Sequence, residues 1–283
     1  MKHKKIAVTG ANGQLGKNLK HRQQTEKISG DWTYFSSAEL DITKKDHLKK
    51  CFLNKTFDYI INCAAYTKVD QAETEKQEAE NVNSVAVKNL AEICEKSNIT
   101  LIHISTDFVF GGKSNKPIQE NQLPDPINFY GKTKFAGEQH LQQILSQYFI
   151  LRTGWLYSSI GHNFFSTMKR LGKEKEELNV IYDQIGTPTH TSVLIQAIYE
   201  ILKSNSEAYG IYHVANEGIA SWYDFAYEIL KRSKSPCKVN PILSEEYPTP
   251  AKRPTFSVLD KSKFKQTFEV DFPHWRESLA ECF

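Results

Sequence analysis

No stretch of this 283-residue chain comes near the roughly 18 consecutive apolar residues that a membrane-crossing helix needs, so the sequence offers no candidate span. The basic start, Met1-Lys2-His3-Lys4-Lys5, resembles that of a signal peptide. It runs straight into the strand-like Ile6-Ala7-Val8, without the apolar region a signal requires. Cysteine is sparse and unpatterned: Cys51, Cys63, Cys94, Cys237 and Cys282 form no C-x-x-C pair and no cysteine–histidine cluster. That argues against a disulfide framework or a zinc site and predicts reduced thiols in a soluble, cytoplasmic protein. There is no basic stripe either. The 36 lysines and arginines are interleaved with 33 acids, for a net charge of +3, which argues against a nucleic-acid binder and still leaves bases for a small anionic ligand. Internal repeats, low-complexity tracts and flexible linkers are also absent.

What is present is alternation. Lys5–Thr9 reads as a strand, Gln14–Gln24 as a helix and Trp32–Phe35 as a second strand. Thr43-Lys44-Lys45-Asp46 opens a further helix with a pattern like a capping box, Asp standing where Glu is usual. Tyr59–Cys63 and Leu101–Ser105 read as buried strands separated by one long helix or two over Thr74–Ser97. Lys132–Leu145 then reads as a helix and Phe149–Arg152 as a strand. The order predicts an α/β fold: a Rossmann-type, doubly wound parallel sheet with a smaller C-terminal substrate lobe. The dinucleotide-binding part is expected over 1–155 and the lobe over 156–283, with a segment near 210–215 available to return to the sheet. In the lobe, Asn163–Leu171 and Ser192–Leu202 read as helices, Ser221-Trp222-Tyr223-Asp224 as a helix cap, and Pro236 to Pro254 as loop with short extended pieces.

Gly10-Ala11-Asn12-Gly13-Gln14-Leu15-Gly16 follows a strand and opens a helix, the context in which a glycine motif carries weight. Gly10 suits the tight turn, Gly13 the approach of a pyrophosphate and Gly16 a close contact of helix with strand. The helix amino end then offers unpaired N–H groups and partial positive charge to phosphates. A fold that binds NAD usually has an acid at the end of the second strand for the ribose 2′-hydroxyl. Here that strand ends Phe35-Ser36-Ser37, and Asp31 precedes it. Serines hydrogen-bond a 2′-phosphate that an acid would repel, so NADPH, or dual use, is expected ahead of strict NADH.

Tyr130-Gly131-Lys132-Thr133-Lys134 puts Tyr130 and Lys134 four apart on one helical face. A phenol titrates at about 10 when free, and a neighbouring ammonium is expected to lower that value, making Tyr130 an acid for a developing alkoxide. Lys134 also suits the ribose hydroxyls. Thr106, at the carboxyl end of its strand, is the candidate donor to a substrate carbonyl. Together Thr106, Tyr130 and Lys134 are the predicted catalytic set.

These residues resemble the extended short-chain dehydrogenases, and among them the dTDP-4-dehydrorhamnose reductase family. The resemblance spans nearly the whole chain. Besides the glycine loop and the Tyr–Lys pair it includes Leu40-Asp41-Ile42-Thr43, Asn62 to Glu73, Ser105 to Phe110, Arg152 to Tyr157, Asp183 to Thr189 and Pro250 to Pro254. It implies reduction of the C4 ketone of dTDP-4-dehydro-L-rhamnose for surface glycans. It also implies cofactor contacts from Asn12, Gln14 and Leu15 of the loop, from Asp41 and Ile42 at the adenine, and from Ala64, Ala65 and Tyr66. Thr67 and Val69 would face nicotinamide or sugar, Trp155 would wall the sugar pocket with Asn163 nearby, and the planar fork of Arg253 would meet the diphosphate.

Three departures from the family pattern stand out: Phe108 where Tyr is frequent, Phe256 where Asn is frequent, and Lys17-Asn18 where some members carry a Glu of a magnesium-bridged dimer. The last predicts no metal requirement, and a monomer or weak homodimer. Two other readings compete: a ketoreductase of a related dTDP-deoxysugar, favoured by Phe108 and Phe256, and a non-catalytic, reductase-like regulatory subunit.

Overall fold

The computed structural model describes residues 3–53 and 56–283; Met1 and Lys2 of the basic start lie outside them. The first half runs β1 (Lys5–Thr9), α1 (Gln14–Thr25), β2 (Asp31–Phe35), α2 (Lys45–Phe52), β3 (Tyr59–Asn62), α3 (Lys76–Glu80), α4 (Ala86–Ser97), β4 (Thr100–Thr106), α5 (Phe129–Ile144) and β5 (Tyr148–Thr153). The rest runs β6 (Leu156–Tyr157), α6 (Phe164–Glu174), β7 (Glu177–Ile181), β8 (Ile185–Gly186), β9 (Thr189–His190), α7 (Thr191–Ser204), β10 (Gly210–His213), β11 (Ala220–Ser221), α8 (Trp222–Arg232), β12 (Lys238–Ile242), α9 (Ser262–Phe268) and α10 (Trp275–Ala280).

Six strands form one sheet in the order β2-β1-β3-β4-β5-β10, every neighbouring pair parallel. Alternation along each strand sorts its side chains between two helical layers. Ile6, Val8, Ile61, Ile102, Phe149 and Leu151 pack with Leu15 and Leu19 of α1 and with the apolar face of α7. The intervening Ala7, Ile60, Leu101 and Ile150 pack with Leu48 and Phe52 of α2, Leu90 and Ile93 of α4, and Leu141 of α5. A further core gathers Tyr157, Phe165, Met168, Phe225, Ile229, Trp275 and Leu279 from the later elements. No described helix is long and apolar enough to cross a membrane.

β1 is flanked by β2 on one side and β3 on the other, so the chain leaves the sheet in opposite directions there. The carboxyl ends of the strands at such a point are where doubly wound sheets take their ligands. The loops after β1, β3 and β4 all end at this edge.

Several elements differ from expectation, each for a local reason. Thr43 does not cap α2: its amide and hydroxyl go to Asp41 Oδ1 at 3.0 and 2.7 Å, and Lys44 takes the cap position without a side-chain bond. α5 begins at Phe129 because Asn128 accepts from the Gly131 amide at 2.7 Å and so starts the helix before Lys132. The stretch Thr74–Ser97 is carried by α3 and α4, joined through a π turn over Asn81–Val85. Ser221 and Asp224 form the expected capping box at α8. The tail holds two short helices, α9 and α10, that the sequence reading did not contain; Phe264 and Trp275 are their fully buried anchors.

Under the catalytic edge lies a buried ion pair. Arg152 Nε and Nη2 donate to both oxygens of Glu138, at 2.6 Å for the shortest contact, and the Ser105 hydroxyl donates to the same carboxylate. The side chains are 2% and 0% exposed. Removing one partner leaves a buried charge uncompensated, so Arg152→Met is expected to cost about 3–5 kcal/mol of stability. Urea unfolding of the two proteins checks this, and a loss under about 1 kcal/mol contradicts it.

Candidate active site

Gly10 and Gly16 set the shape of the cofactor loop. Gly10 has φ +68°, and a Cβ there would stand 2.6 Å from the Ala64 amide nitrogen, so the end of β1 sits directly against the end of β3. A Cβ on Gly16 would come within 2.5 Å of the Gly10 carbonyl, so the contact that needs this glycine is helix to loop. Gly13 occupies the amino cap of α1 with no side chain to bond the first-turn amides, and that turn carries no acid. Those free N–H groups suit a diphosphate, and the arrangement therefore fits a dinucleotide. Gln14 and Leu15 begin the helix, Leu15 buried in the core; Asn12 is exposed at the turn.

The end of β2 departs from the sequence reading. Phe35 accepts from the Ala11 amide at 3.0 Å, which holds the strand end against the glycine loop. Glu39 then folds back, accepting from the Ser36 amide at 2.8 Å and its hydroxyl at 2.7 Å. A carboxylate thus stands where none was read, and it engages Ser36, one of the two serines on which the expectation of NADPH, or dual use, rested. These two bonds also hold the Glu39 carboxyl below the usual range. Next to it, one oxygen of Asp41 is taken by Thr43, while Ile42 is buried. Ala64 and Ala65 stand half-buried just after β3, and Tyr66 is fixed by Asn83 through its amide and carbonyl and by Glu75 through its hydroxyl.

Thr106 ends β4, its hydroxyl donating to Asp107 Oδ1 at 3.1 Å, and Tyr130 lies half-buried in the first turn of α5. The Phe108 ring packs edge-on against Tyr130, centroids 6.0 Å apart. Lys134 is 2% exposed, and its Nζ donates to the Ile104 carbonyl at 2.6 Å. The expectation that its ammonium depresses the phenol is not met among the chain's own groups. Burial, with the nearby Asp107 charge, pushes Tyr130 up to about 12 against a smaller opposing effect of the Thr106 hydroxyl. Burial also brings Lys134 down to about 8, against the raising effect of Glu138 and Cys63. Desolvation therefore wins over pairwise attraction at both groups. The result is a phenol protonated at neutral pH, the state in which an acid has a proton to give.

The predicted sugar residues fare unevenly. Trp155 stands at φ +50°, a conformation uncommon for a bulky residue, and stacks on Trp222 with centroids 3.5 Å apart and planes 3° from parallel. Sequence reasoning saw Trp222 only as part of a helix cap. Thr67 is exposed and Val69 half-buried on the loop after β3. Asn163 is not a free ligand wall: its Oδ1 caps α6 at the Ser166 amide, and its Nδ2 reaches Gln14 at 3.2 Å and the Ser158 carbonyl at 2.9 Å. The Arg253 fork is likewise engaged, donating to both oxygens of Asp70 at 3.1 and 2.8 Å and to Thr249 and Ala251. Asp107, unassigned in the sequence reading, is buried with Oδ2 lacking a partner and is pushed up to about 6. Its only sequence signal was adjacency to Thr106.

Three side chains tie down the start of α5 and the segment beside it. Asn128 both caps α5 and donates to the Lys252 carbonyl at 2.8 Å; Glu73 accepts the Phe129 amide at 2.8 Å; Asp70 accepts from Ala251 and Arg253. Glu73 thus anchors the helix that carries Tyr130, and Asp70 anchors the segment Ala251–Arg253 to which Asn128 is bonded.

Comparison with known proteins agrees with this geometry. The sequence profile of the RmlD substrate binding domain matches residues 4–283. The dTDP-4-dehydrorhamnose reductase of Aggregatibacter actinomycetemcomitans is 39% identical over 97% of each chain. The spore coat polysaccharide biosynthesis protein SpsK of Bacillus subtilis is 36% identical over 98% of this chain and 96% of its own. The crystal structure of dTDP-4-dehydrorhamnose reductase from Bacillus anthracis in complex with NADP superposes with a TM-score of 0.95 at 39% identity, covering 99% of both chains.

The Glu39–Ser36 contact generates a prediction. Glu39→Gln removes a negative charge beside the expected 2′ position and should shift the ratio of kcat/KM for NADPH over NADH severalfold towards NADPH. Steady-state kinetics with both cofactors check it, and an unchanged ratio contradicts it.

Proposed function

The chain belongs to the RmlD substrate binding domain family, that of the dTDP-4-dehydrorhamnose reductases, and from that premise we propose that it reduces the C4 ketone of dTDP-4-dehydro-L-rhamnose to give dTDP-L-rhamnose. The observation that carries the reading is the buried Thr106 and the half-buried Tyr130 beside the buried Lys134, at the carboxyl edge next to a glycine loop that fits a dinucleotide. A reduced nicotinamide, from NADPH or NADH, would supply hydride to the ketone carbon.

The chain's own residues do the rest. Thr106 donates to the ketone oxygen and orients it. Tyr130, protonated at neutral pH, gives its proton to that oxygen as the charge on it grows, so carbon gains hydride and oxygen gains a proton. Lys134, in its ammonium form, stabilises the phenolate left behind and holds the ribose hydroxyls. The loop after β3, with Thr67 and Val69, and the stacked Trp155 and Trp222 line the sugar side. Asp70 holds Arg253 beside the region proposed for the diphosphate. We read residues 1–155 as the cofactor half and 156–283 as the sugar half, and the cytoplasm, where thiols stay reduced and dTDP-sugars are made, as the place of action. Product identification after incubation with NADPH and the dTDP-4-keto sugar tests the reading against a ketoreductase of another dTDP-deoxysugar. Failure to oxidise NADPH would favour a binding subunit.

Three outcomes are expected. Tyr130→Phe removes the proton donor and should lower kcat by about 10²-fold or more with little change in cofactor affinity; near-normal turnover counts against the assigned role. Because reduction uses the ammonium of Lys134, kcat/KM should be full below about pH 8 and fall as pH rises through it; a profile flat to pH 10 removes Lys134 from that role. Among the described residues no cluster of three His, Cys, Asp or Glu side chains is arranged to hold a metal, and EDTA is expected to leave the rate unchanged. Loss of activity restored by magnesium would show otherwise.

A further inference from the structure

Thr9, Asn62 and His103 stand side by side in register on β1, β3 and β4. All three are buried, at 0%, 1% and 0% exposure, on the sheet face that α5 covers. Three polar side chains in a row are expensive inside an otherwise apolar sheet unless each is bonded, and each is. Thr9 Oγ1 donates to Asn62 Oδ1 at 2.6 Å, and the Ala64 amide donates to the same oxygen at 3.2 Å. Two donors on one side identify that atom as the oxygen, so Asn62 Nδ2 is the donor that meets His103 Nδ1 at 3.0 Å. A neutral imidazole that accepts at Nδ1 carries its hydrogen on Nε2. That Nε2 lies 3.4 Å from Lys134 Nζ, which already donates to the Ile104 carbonyl.

The two protonation states of Lys134 are therefore unequal here. As an ammonium, Nζ has only donors to turn towards a ring nitrogen that is also a donor. As an amine, its lone pair accepts from Nε2–H while an N–H stays on Ile104. Reversing the imidazole tautomer only moves the mismatch to Asn62, whose amide hydrogens would then face Nδ1–H. Protonating the ring is no escape, because burial and the neighbouring Lys134 hold His103 well below the ordinary histidine value. The other ionisable groups acting on Nζ are Glu138 from α5 and Cys63 from the end of β3. Tyr130 lies one turn earlier on α5, and Glu138 is itself engaged by Arg152 of β5.

We propose that His103 is a positioning residue for Lys134: Asn62 holds the imidazole with Nε2–H towards the amine, which keeps Nζ between that ring and the Ile104 carbonyl and favours its release of a proton. The ladder ties the charge state of the lysine to Thr9, the residue before the glycine loop. Its consequence for turnover rests on the reductase reading, but the titration of Lys134 does not.

The experiment is an NMR titration of [15N]lysine-labelled protein without cofactor or substrate, Lys134 being assigned by its loss in Lys134→Arg. Against the wild-type midpoint, His103→Leu and His103→Gln are expected to raise that of Lys134 by roughly one pH unit, the size one hydrogen bond makes. Asn62→Leu should do the same, since it frees His103 to take the tautomer that accepts from an ammonium. In active variants, the alkaline limb of kcat/KM should move up with the midpoint. If the midpoint stays put in the variants that fold, whatever their thermal stability or rate, the ladder is only packing and the proposal is wrong. If the midpoint moves while wild-type protein reduces no dTDP-4-keto sugar, the reductase reading fails and this one stands.

Discussion

An ionisable nitrogen kept almost wholly away from water, with too few acceptors around it, is the constraint from which the catalytic edge follows. Lys134 is buried between α5 and the ends of β3 and β4, with the Ile104 carbonyl as its one strong acceptor. Desolvation makes its charge costly, and the same dryness keeps the Tyr130 phenol protonated. A water-exposed Tyr–Lys pair at the same spacing would keep the phenol's proton but let solvent screen the lysine's charge. Burial thus leaves a proton held until needed beside a cation whose charge is not diluted by solvent.

Such a site works only if α5 is held still, and its restraints come from distant parts of the chain. Glu73, and Asn128 with Lys252, fasten its amino end, and Asp70 holds the neighbouring Arg253. Asn83, in the π turn between α3 and α4, reaches Thr133 at 3.2 Å and Tyr66 at 2.9 Å, joining that helix to the loop after β3. On the cofactor side, Asn163 meets Gln14 and Asn18 meets Ser158 at 3.1 Å, so the later elements also brace the glycine loop. Two residues first considered as ligand contacts, Asn163 and Arg253, are therefore already engaged within the chain.

Much of this was legible in the chain. Strands buried on both faces read as continuous apolar runs, and helices between them as amphipathic ones; those periods are local and survive without tertiary context. The glycine loop was legible as a spacing between a strand and a helix, and Gly13 and Gly16 do answer to contacts inside it, whereas Gly10 answers to Ala64 at the end of β3. What escaped depended on distance or on side-chain direction. Glu39 lies four residues beyond its strand and matters because it folds back. Trp222 looked like a cap residue until Trp155 lay flat against it. His103 and Asn62 read as ordinary strand positions, since nothing in spacing reveals that β3 and β4 bring them into register.

By itself the sequence determined the alternating architecture and pointed to the glycine loop and to Thr106, Tyr130 and Lys134 as candidates, because periodicity, turn chemistry and four-residue helical spacing are properties of a short segment. Only the tertiary structure decided how burial shifts those groups, the return of Glu39 onto Ser36 at the end of β2 and the partners of Asn163 and Arg253. Desolvation and hydrogen-bond competition depend on which atoms from remote segments close over a side chain, and no local pattern encodes that.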